Sequence, residues 1–312
     1  MTTNVAVIAH AGKTIGGGLD ELRDTLSRAG VDDPIWSEVP KSRFAPKRVR
    51  SALRDGAELV IVWGGDGMVQ QCVDVLAGSG VPLAIVPTGT ANLFASSLDL
   101  PQDIAEAVHI ALRGSERELD VGRVNGERFA VMAGAGLDAH MIRDAEGGLK
   151  DRFGRLAYIW TASKHLRGDP FKTRIEVNGD LWYKGKASCI LLGNIGSLFG
   201  GVEVFDSARP DDGLLELGVT NAEGLGQWAR TLAQTAIGSP SASPFVQMTK
   251  AQKVDVELSR KVRYELDGGE RATVKRLKAK VEPKAITVRV PEASMQVAGH
   301  AAGPRNNGEE GQ

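Results

Sequence analysis

The stretch Leu59-Val60-Ile61-Val62-Trp63-Gly64-Gly65-Asp66-Gly67 limits the folds open to this chain more than any other. A short apolar, β-branched run ending in glycine reads as a strand buried on both faces, as in a parallel sheet. Met68–Leu76 then enters a helix, so the glycines occupy a strand-to-helix turn. Gly64, Gly65 and Gly67 permit backbone conformations that other residues resist, and they let a bulky anion approach the N–H groups at the helix start. Asp66 stands at the carboxyl end of the strand, where ligands of open α/β sheets bind, in position to hold a magnesium ion bridging the phosphates of a nucleotide. An ordinary tight turn is the competing reading, because glycine-rich strand-to-helix turns are common.

The same rhythm surrounds this turn. Val5–Ala9 is a short strand pattern followed by His10-Ala11-Gly12-Lys13-Thr14-Ile15-Gly16-Gly17-Gly18, a second loop able to offer backbone donors to an anion. Leu19, Leu22, Leu26 and Ala29 have helical spacing, and Gly30 is a stop signal. Ile35–Val39 reads as a strand, and Val49, Ala52 and Leu53 mark a helix. Pro82–Pro87 is a further strand running into Thr88-Gly89-Thr90-Ala91-Asn92, a turn that would open on the same sheet edge as the first, so that their donors converge on one ligand. With a helix at Ile104–Leu112, the alternation predicts an α/β domain whose parallel sheet has helices on both faces.

From about Asp120 the pattern becomes β. Leu119–Val124 and Arg128–Ala133 flank the hairpin signal Asn125-Gly126, as Thr173–Val177 and Leu181–Tyr183 flank Asn178-Gly179. Ala187–Leu192, Leu214–Val219, and the alternating sets Val254/Val256/Leu258, Val262/Tyr264/Leu266 and Ile286/Val288/Val290 are further strands of a second, all-β domain, with a helix around Gln227–Arg230. Gly134-Ala135-Gly136 lacks the βαβ context of a dinucleotide fingerprint and reads better as a close approach between strands. Phe153–Leu166 is helix-like, apolar at Leu156, Ile159, Trp160 and Leu166, with Lys150, Arg152, Arg155, Lys164 and Arg167 around that face. It suits either a core helix with a solvated face or a helix lying on an anionic bilayer. The expected organisation is a nucleotide-binding α/β domain over 1–119 and a β domain over 120–291, whose last strand is free to return to the first domain. The tail, 292–312, has no aromatics and is expected to be disordered.

Composition narrows the function classes. At 312 residues and 42% hydrophobic content the chain can bury a large core, and its net charge of -1 argues against a nucleic-acid partner or a broadly cationic surface. Cys72 and Cys189 lie far apart without ligand-spaced companions, against a disulfide framework or a zinc site and in keeping with a reducing cytoplasm. Met1-Thr2-Thr3-Asn4 and the short run after it lack the features of a signal peptide or membrane-spanning helix, so any membrane contact is expected to be peripheral.

Gly64-Gly65-Asp66-Gly67, Pro87-Thr88-Gly89-Thr90-Ala91-Asn92, Gly134-x-Gly136-x-Asp138-Ala139, Asp211-Asp212-Gly213-Leu214 and Leu266-Asp267-Gly268-Gly269-Glu270, in this order, resemble the diacylglycerol kinase catalytic family, across most of residues 4–290. The resemblance implies an N-terminal α/β domain of the NAD kinase and diacylglycerol kinase type, a C-terminal antiparallel β-sandwich, and a cleft between them where ATP meets its lipid substrate. It implies an ATP- and Mg2+-dependent lipid kinase acting on a diacylglycerol-like or other lipid alcohol, within phospholipid biosynthesis and in peripheral contact with the membrane; a homodimer stays open. The ATP phosphates would be cradled by His10, Ala11, Gly12, Lys13 and Thr14, by Gly64, Gly65, Asp66, Gly67, Met68, Val69, Gln70 and Gln71, and by the hydroxyl of Thr90. Asp66 would anchor the catalytic magnesium, with Asp120 in the same acidic network, and Glu270 would be the general base. A structural magnesium would take the Asp212 carboxylate and the carbonyls of Arg209 and Leu214; as composition alone, Pro210-Asp211-Asp212-Gly213 is a good β-turn.

The chain also departs from the family. Met68 stands where threonine is usual and Leu93 where many diacylglycerol kinases have aspartate, while an extra glycine precedes Glu270 where the family has Asp-Gly-Glu. Asp267-Gly268-Gly269 is also readable as a plain hairpin turn. Two alternatives stand beside the lipid kinase: an NAD kinase-like phosphotransferase, a related fold that also carries Gly-Gly-Asp-Gly and a β-rich second domain, and, on these departures, a catalytically impaired nucleotide- or lipid-binding protein.

Overall fold

The computed structural model describes residues 4–136, 170–198, 202–205, 207–236 and 240–292. The expected Phe153–Leu166 helix, Asp138 and Ala139, and the tail from 293 lie outside the described residues.

The N-terminal half is the expected parallel sheet. Strands β1 (Val5–His10), β2 (Ile35–Val39), β3 (Leu59–Gly64) and β4 (Leu83–Pro87) lie in the order β4-β3-β1-β2, all parallel. Their continuous apolar runs serve two cores, because alternate side chains point to opposite faces. Val5, Val7, Leu59, Ile61, Trp63, Ala84 and Val86 pack with Leu22 and Leu26 of α1 (Gly18–Arg28) and with side chains of the helix at Ile104–Arg113. Ala6, Ile8, Val60, Val62, Leu83 and Ile85 pack on the other face with Val49 of α2 (Ala45–Arg54) and Val69, Cys72 and Val73 of α3 (Asp66–Leu76). A one-turn helix, α4 (Leu93–Ser96), follows β4, and the helix at Ile104–Arg113 is α5, capped by Asp103, which accepts the Glu106 N–H at 2.8 Å.

The second half is a β-sandwich. It comprises β5 (Ser115–Val124), β6 (Glu127–Phe129), β7 (Met132–Ala135), β8 (Phe171–Val177), β9 (Asp180–Ala187), β10 (Cys189–Gly193), the short β11 (Ser197–Leu198) and β12 (Val202–Glu203), β13 (Leu215–Thr220), α6 (Gly224–Ala236), β14 (Val246–Ala251), β15 (Lys253–Leu266) and β16 (Gly269–Val290). Ile175, Val254, Val256, Leu277 and Ala279 from one layer meet Ala133, Ile190, Leu192, Leu215 and Leu217 from the other. Strand β15 belongs to both layers: it pairs with β8 at Val254–Leu258 and, past an irregularity, with β7 at Tyr264–Leu266. The two alternating sets expected as separate strands are thus one strand.

Three two-residue turns have the doubly positive φ that tight hairpins require. They are Asn125-Gly126 (50° and 98°), Asn178-Gly179 (55° and 102°) and Asp267-Gly268 (46° and 75°). The last joins β15 to β16, a 22-residue strand that links the halves. Its first part pairs with β15; after an irregularity at Lys284 (φ 48°), Ile286–Val290 runs beside β5, with Val288 level with Leu83 of β4.

Candidate active site

The turns after β3 and β4 meet. The strands pair up to Gly64 and Pro87, and the Thr88 N–H donates to the Gly64 carbonyl at 3.0 Å. Beyond this the backbones of Gly65 and Gly89 close together: a Cβ on Gly89 would stand 2.7 Å from the Gly65 Cα and 2.6 Å from Asn92 Oδ1. Asn92, left-handed at φ 48°, ties the second turn by accepting the Gly89 N–H at 2.8 Å and donating to the Gly89 carbonyl at 2.9 Å. Gly89→Ala is therefore expected to force the turns apart and to weaken, by about tenfold or more in titration calorimetry, the binding of any nucleotide that the two turns share. Unchanged affinity would mean that the turns share no ligand.

Asp66 begins α3, and its Oδ1 accepts the Phe94 N–H at 3.2 Å. Burial pushes its carboxyl above the ordinary aspartate range, against the lowering effect of the Leu93, Phe94, Asp66 and Asn92 amides. A second carboxylate, absent from the sequence-derived site, joins it. Asp267 at the β15–β16 turn accepts the N–H groups of Ala130 (2.7 Å), Val131 (2.9 Å) and Met132 (2.9 Å). Its backbone forms the turn and is partly exposed, but its carboxylate is enclosed, and burial drives the pKa up to about 6 despite those amides, with the charge of Asp66 adding to the rise. The buried Thr88 hydroxyl has no hydrogen-bond partner among the described residues. Asp66, at the edge of these amide-bearing turns, is the carboxylate there able to hold a hydrated magnesium ion with phosphate, and Asp267 lies near enough for the two charges to act on each other.

The other nucleotide residues divide. His10 is half-buried and Ala11 to Thr14 are exposed; the loop is tied by His10 Nδ1 accepting the Gly12 N–H (3.1 Å) and by the Trp63 indole donating to the Lys13 carbonyl (3.0 Å). Gly67 and Thr90 are exposed. Met68 and Val69 are buried, and Gly64 has no room for a Cβ because Met68 Cβ would be 2.5 Å from it. The methionine that replaces the family's threonine is thus a core residue. Gln70 is also buried and donates to the Arg128 carbonyl at 2.7 Å, while Gln71 donates to Gln70 Oε1 at 2.6 Å. These side chains brace α3 against β6; only their main chain is available to a phosphate. Arg271 completes the brace through its ion pair with Glu127.

Glu270 is exposed on β16, opposite Glu265, with its carboxylate 3.1 Å from Arg263. Asp120 is buried and its oxygens are taken by backbone: Oδ2 accepts the Gly213 N–H (2.6 Å) and Oδ1 the Lys284 N–H (2.8 Å), while its own N–H donates to the Pro210 carbonyl (2.7 Å). It positions the 209–214 loop against the irregularity of β16. In that loop the Asp212 carboxylate accepts the Leu214 N–H at 3.0 Å and faces Lys250 Nζ at 3.0 Å, and Arg209 lies 3.6 Å from Asp211. A resident magnesium does not fit beside that ammonium.

A sequence model of the diacylglycerol kinase catalytic domain matches residues 5–124, and one described as the YegS C-terminal NAD kinase beta sandwich-like domain matches residues 131–290. A diacylglycerol kinase of Bacillus subtilis (strain 168) is 31% identical over 254 residues, covering 80% of this chain and 83% of the relative. A probable lipid kinase YegS-like protein of Pectobacterium atrosepticum is 31% identical over 302 residues, covering 92% and 96%. Among solved structures, a putative diacylglycerol kinase from Bacillus anthracis superposes with a TM-score of 0.75 at 23% identity, covering 92% of this chain and 96% of that one. A yeast NADH kinase complexed with NADH superposes at 0.56 and 12% identity, covering 98% and 90%. Both likenesses are of fold.

Proposed function

This chain belongs to the diacylglycerol kinase catalytic-domain family, and we propose that it uses ATP to phosphorylate a hydroxyl of a diacylglycerol-like or other lipid alcohol. The observation that carries this reading is the meeting of the Gly65 and Gly89 turns beside the half-buried Asp66. Backbone N–H groups of the 65–71 turn and the exposed 10–14 loop bind the phosphates, and the exposed Thr90 hydroxyl adds a contact. Asp66, supported by Asp267, is the group that would hold magnesium, which when bound offsets charge on the phosphoryl oxygens. The lipid hydroxyl attacks the γ-phosphorus, the bond to the bridging oxygen breaks, and ADP departs.

Glu270 accepts the hydroxyl proton in this scheme. Its exposed pair with Arg263 is worth no more than about 1 kcal/mol, so exchanging that partner for a substrate costs little. The acceptor would come from a peripheral contact with the bilayer; among the described residues no helix is long and apolar enough to cross one.

Radiolabelled ATP offered with a panel of lipids and NAD tests the reading. Label in the organic phase supports it, label in NADP points to an NAD kinase, and nucleotide binding without turnover points to an impaired binder. Glu270→Gln should lower kcat by roughly 10²- to 10⁴-fold with ATP affinity intact. Unchanged turnover would remove Glu270 as the base.

A further inference from the structure

We propose that Lys250 supplies the cation that closes the 209–214 loop, so that this loop keeps its shape without a divalent ion. The ammonium lies 3.0 Å from the Ser207 carbonyl oxygen, 3.0 Å from Asp212 Oδ2 and 3.3 Å from Glu216 Oε1. Three N–H donors thus meet three oxygens, two of them on carboxylates.

The arrangement is built into the sheet. Lys250 on β14 is directly opposite Glu216 on β13, so strand register, independently of the loop, brings the amine to this place. Glu216 is 6% exposed and also accepts the Ser207 hydroxyl at 2.7 Å; buried there, its charge requires a counter-charge. Asp212 is oriented from the other side by the Leu214 N–H. Two carboxylates approaching one point repel unless a cation lies between them, and here the cation is covalently part of the chain. A divalent ion entering the same space would meet the ammonium charge and would have to expel it.

The loop then transmits its shape inward. Gly213 donates to Asp120, whose other oxygen accepts the Lys284 N–H at the irregularity of β16. Lys250 therefore holds, through Asp120, the crossing between the two halves, at a site separate from the Asp66 edge.

Thermal unfolding without nucleotide, in EDTA or in millimolar MgCl2 or CaCl2, tests this on the full chain. The wild-type protein and Asp212→Ala should respond equally to the added ions, because the loop of neither takes one up. Lys250→Met, which keeps the stem and removes the charge, should lower the Tm by about 4 °C in EDTA and recover at least half of that loss in the divalent ions. Lys250→Arg should stay within about 2 °C of wild type. Two results would overturn the proposal: ion-dependent stabilisation of the wild type that Asp212→Ala abolishes, or a Lys250→Met loss that no divalent ion reverses.

Discussion

Asp66→Asn should reduce kcat/KM for phosphoryl transfer by about three orders of magnitude or more, equivalent to at least ~4 kcal/mol of transition-state stabilisation, while the protein remains folded. The substitution keeps the shape of the side chain and an oxygen able to accept the Phe94 N–H. It removes the negative charge, which burial already disfavours. Stability should therefore hold or rise as activity collapses, a divergence that separates loss of chemistry from loss of fold. Steady-state kinetics with saturating ATP, alongside a melting curve, checks both. Activity within tenfold of wild type would remove Asp66 from the centre of the site.

The second large effect is on the fold. Asp267→Ala would leave the buried N–H groups of Ala130, Val131 and Met132 without their acceptor. At about 1–3 kcal/mol for each orphaned group, and with incomplete additivity, a loss on the order of 3–6 kcal/mol is expected in urea unfolding. The same residue carries a pH signature. Its carboxyl is raised in the folded protein from 3.8 to about 6, so the folded state binds the proton more tightly than the unfolded chain. Its contribution to stability is complete below about pH 4 and is lost as pH rises through about 6, a change on the order of 3 kcal/mol. Asp267→Asn cannot titrate, and although it sacrifices one of the amide contacts, its stability should lack this slope. Wild-type and variant curves that remain parallel between pH 4 and 7 would refute the assignment.

Much of the architecture was legible because local chemistry and global fold agree. Val60, Ile61 and their neighbours are apolar on both faces because two helical layers cover the sheet, and Asn125-Gly126 and Asn178-Gly179 take the positive φ pairs their composition favours. The first part of β16 was missed because Lys275, Arg276, Lys278 and Lys280 obscure the inward alternation of Leu277, Ala279 and Val281. That period of two was the signal available.

The site was legible at Asp66 and the glycine turns, whose chemistry is local. It was not legible where a role depends on residues distant along the chain. Asp267 reads as a turn residue until the amides of 130–132 arrive beneath it, and Asp212 reads as a metal ligand until β14 brings Lys250 alongside. Met68 and Gln70 lie in the motif, yet helix phase turns their side chains into the protein. Glu270 and Thr90 are the reverse case, held at the surface.

The passage of β5 and β16 side by side from one half of the molecule to the other has a mechanical consequence. A single loose tether would let the halves swing widely, whereas a hydrogen-bonded ribbon resists bending across its width and yields mainly by twist. The one place where its ladder is interrupted is Lys284, whose N–H is pinned by Asp120. Relative motion of the two halves is therefore expected to be a small rotation about that point, with no room for a wide hinge-like opening.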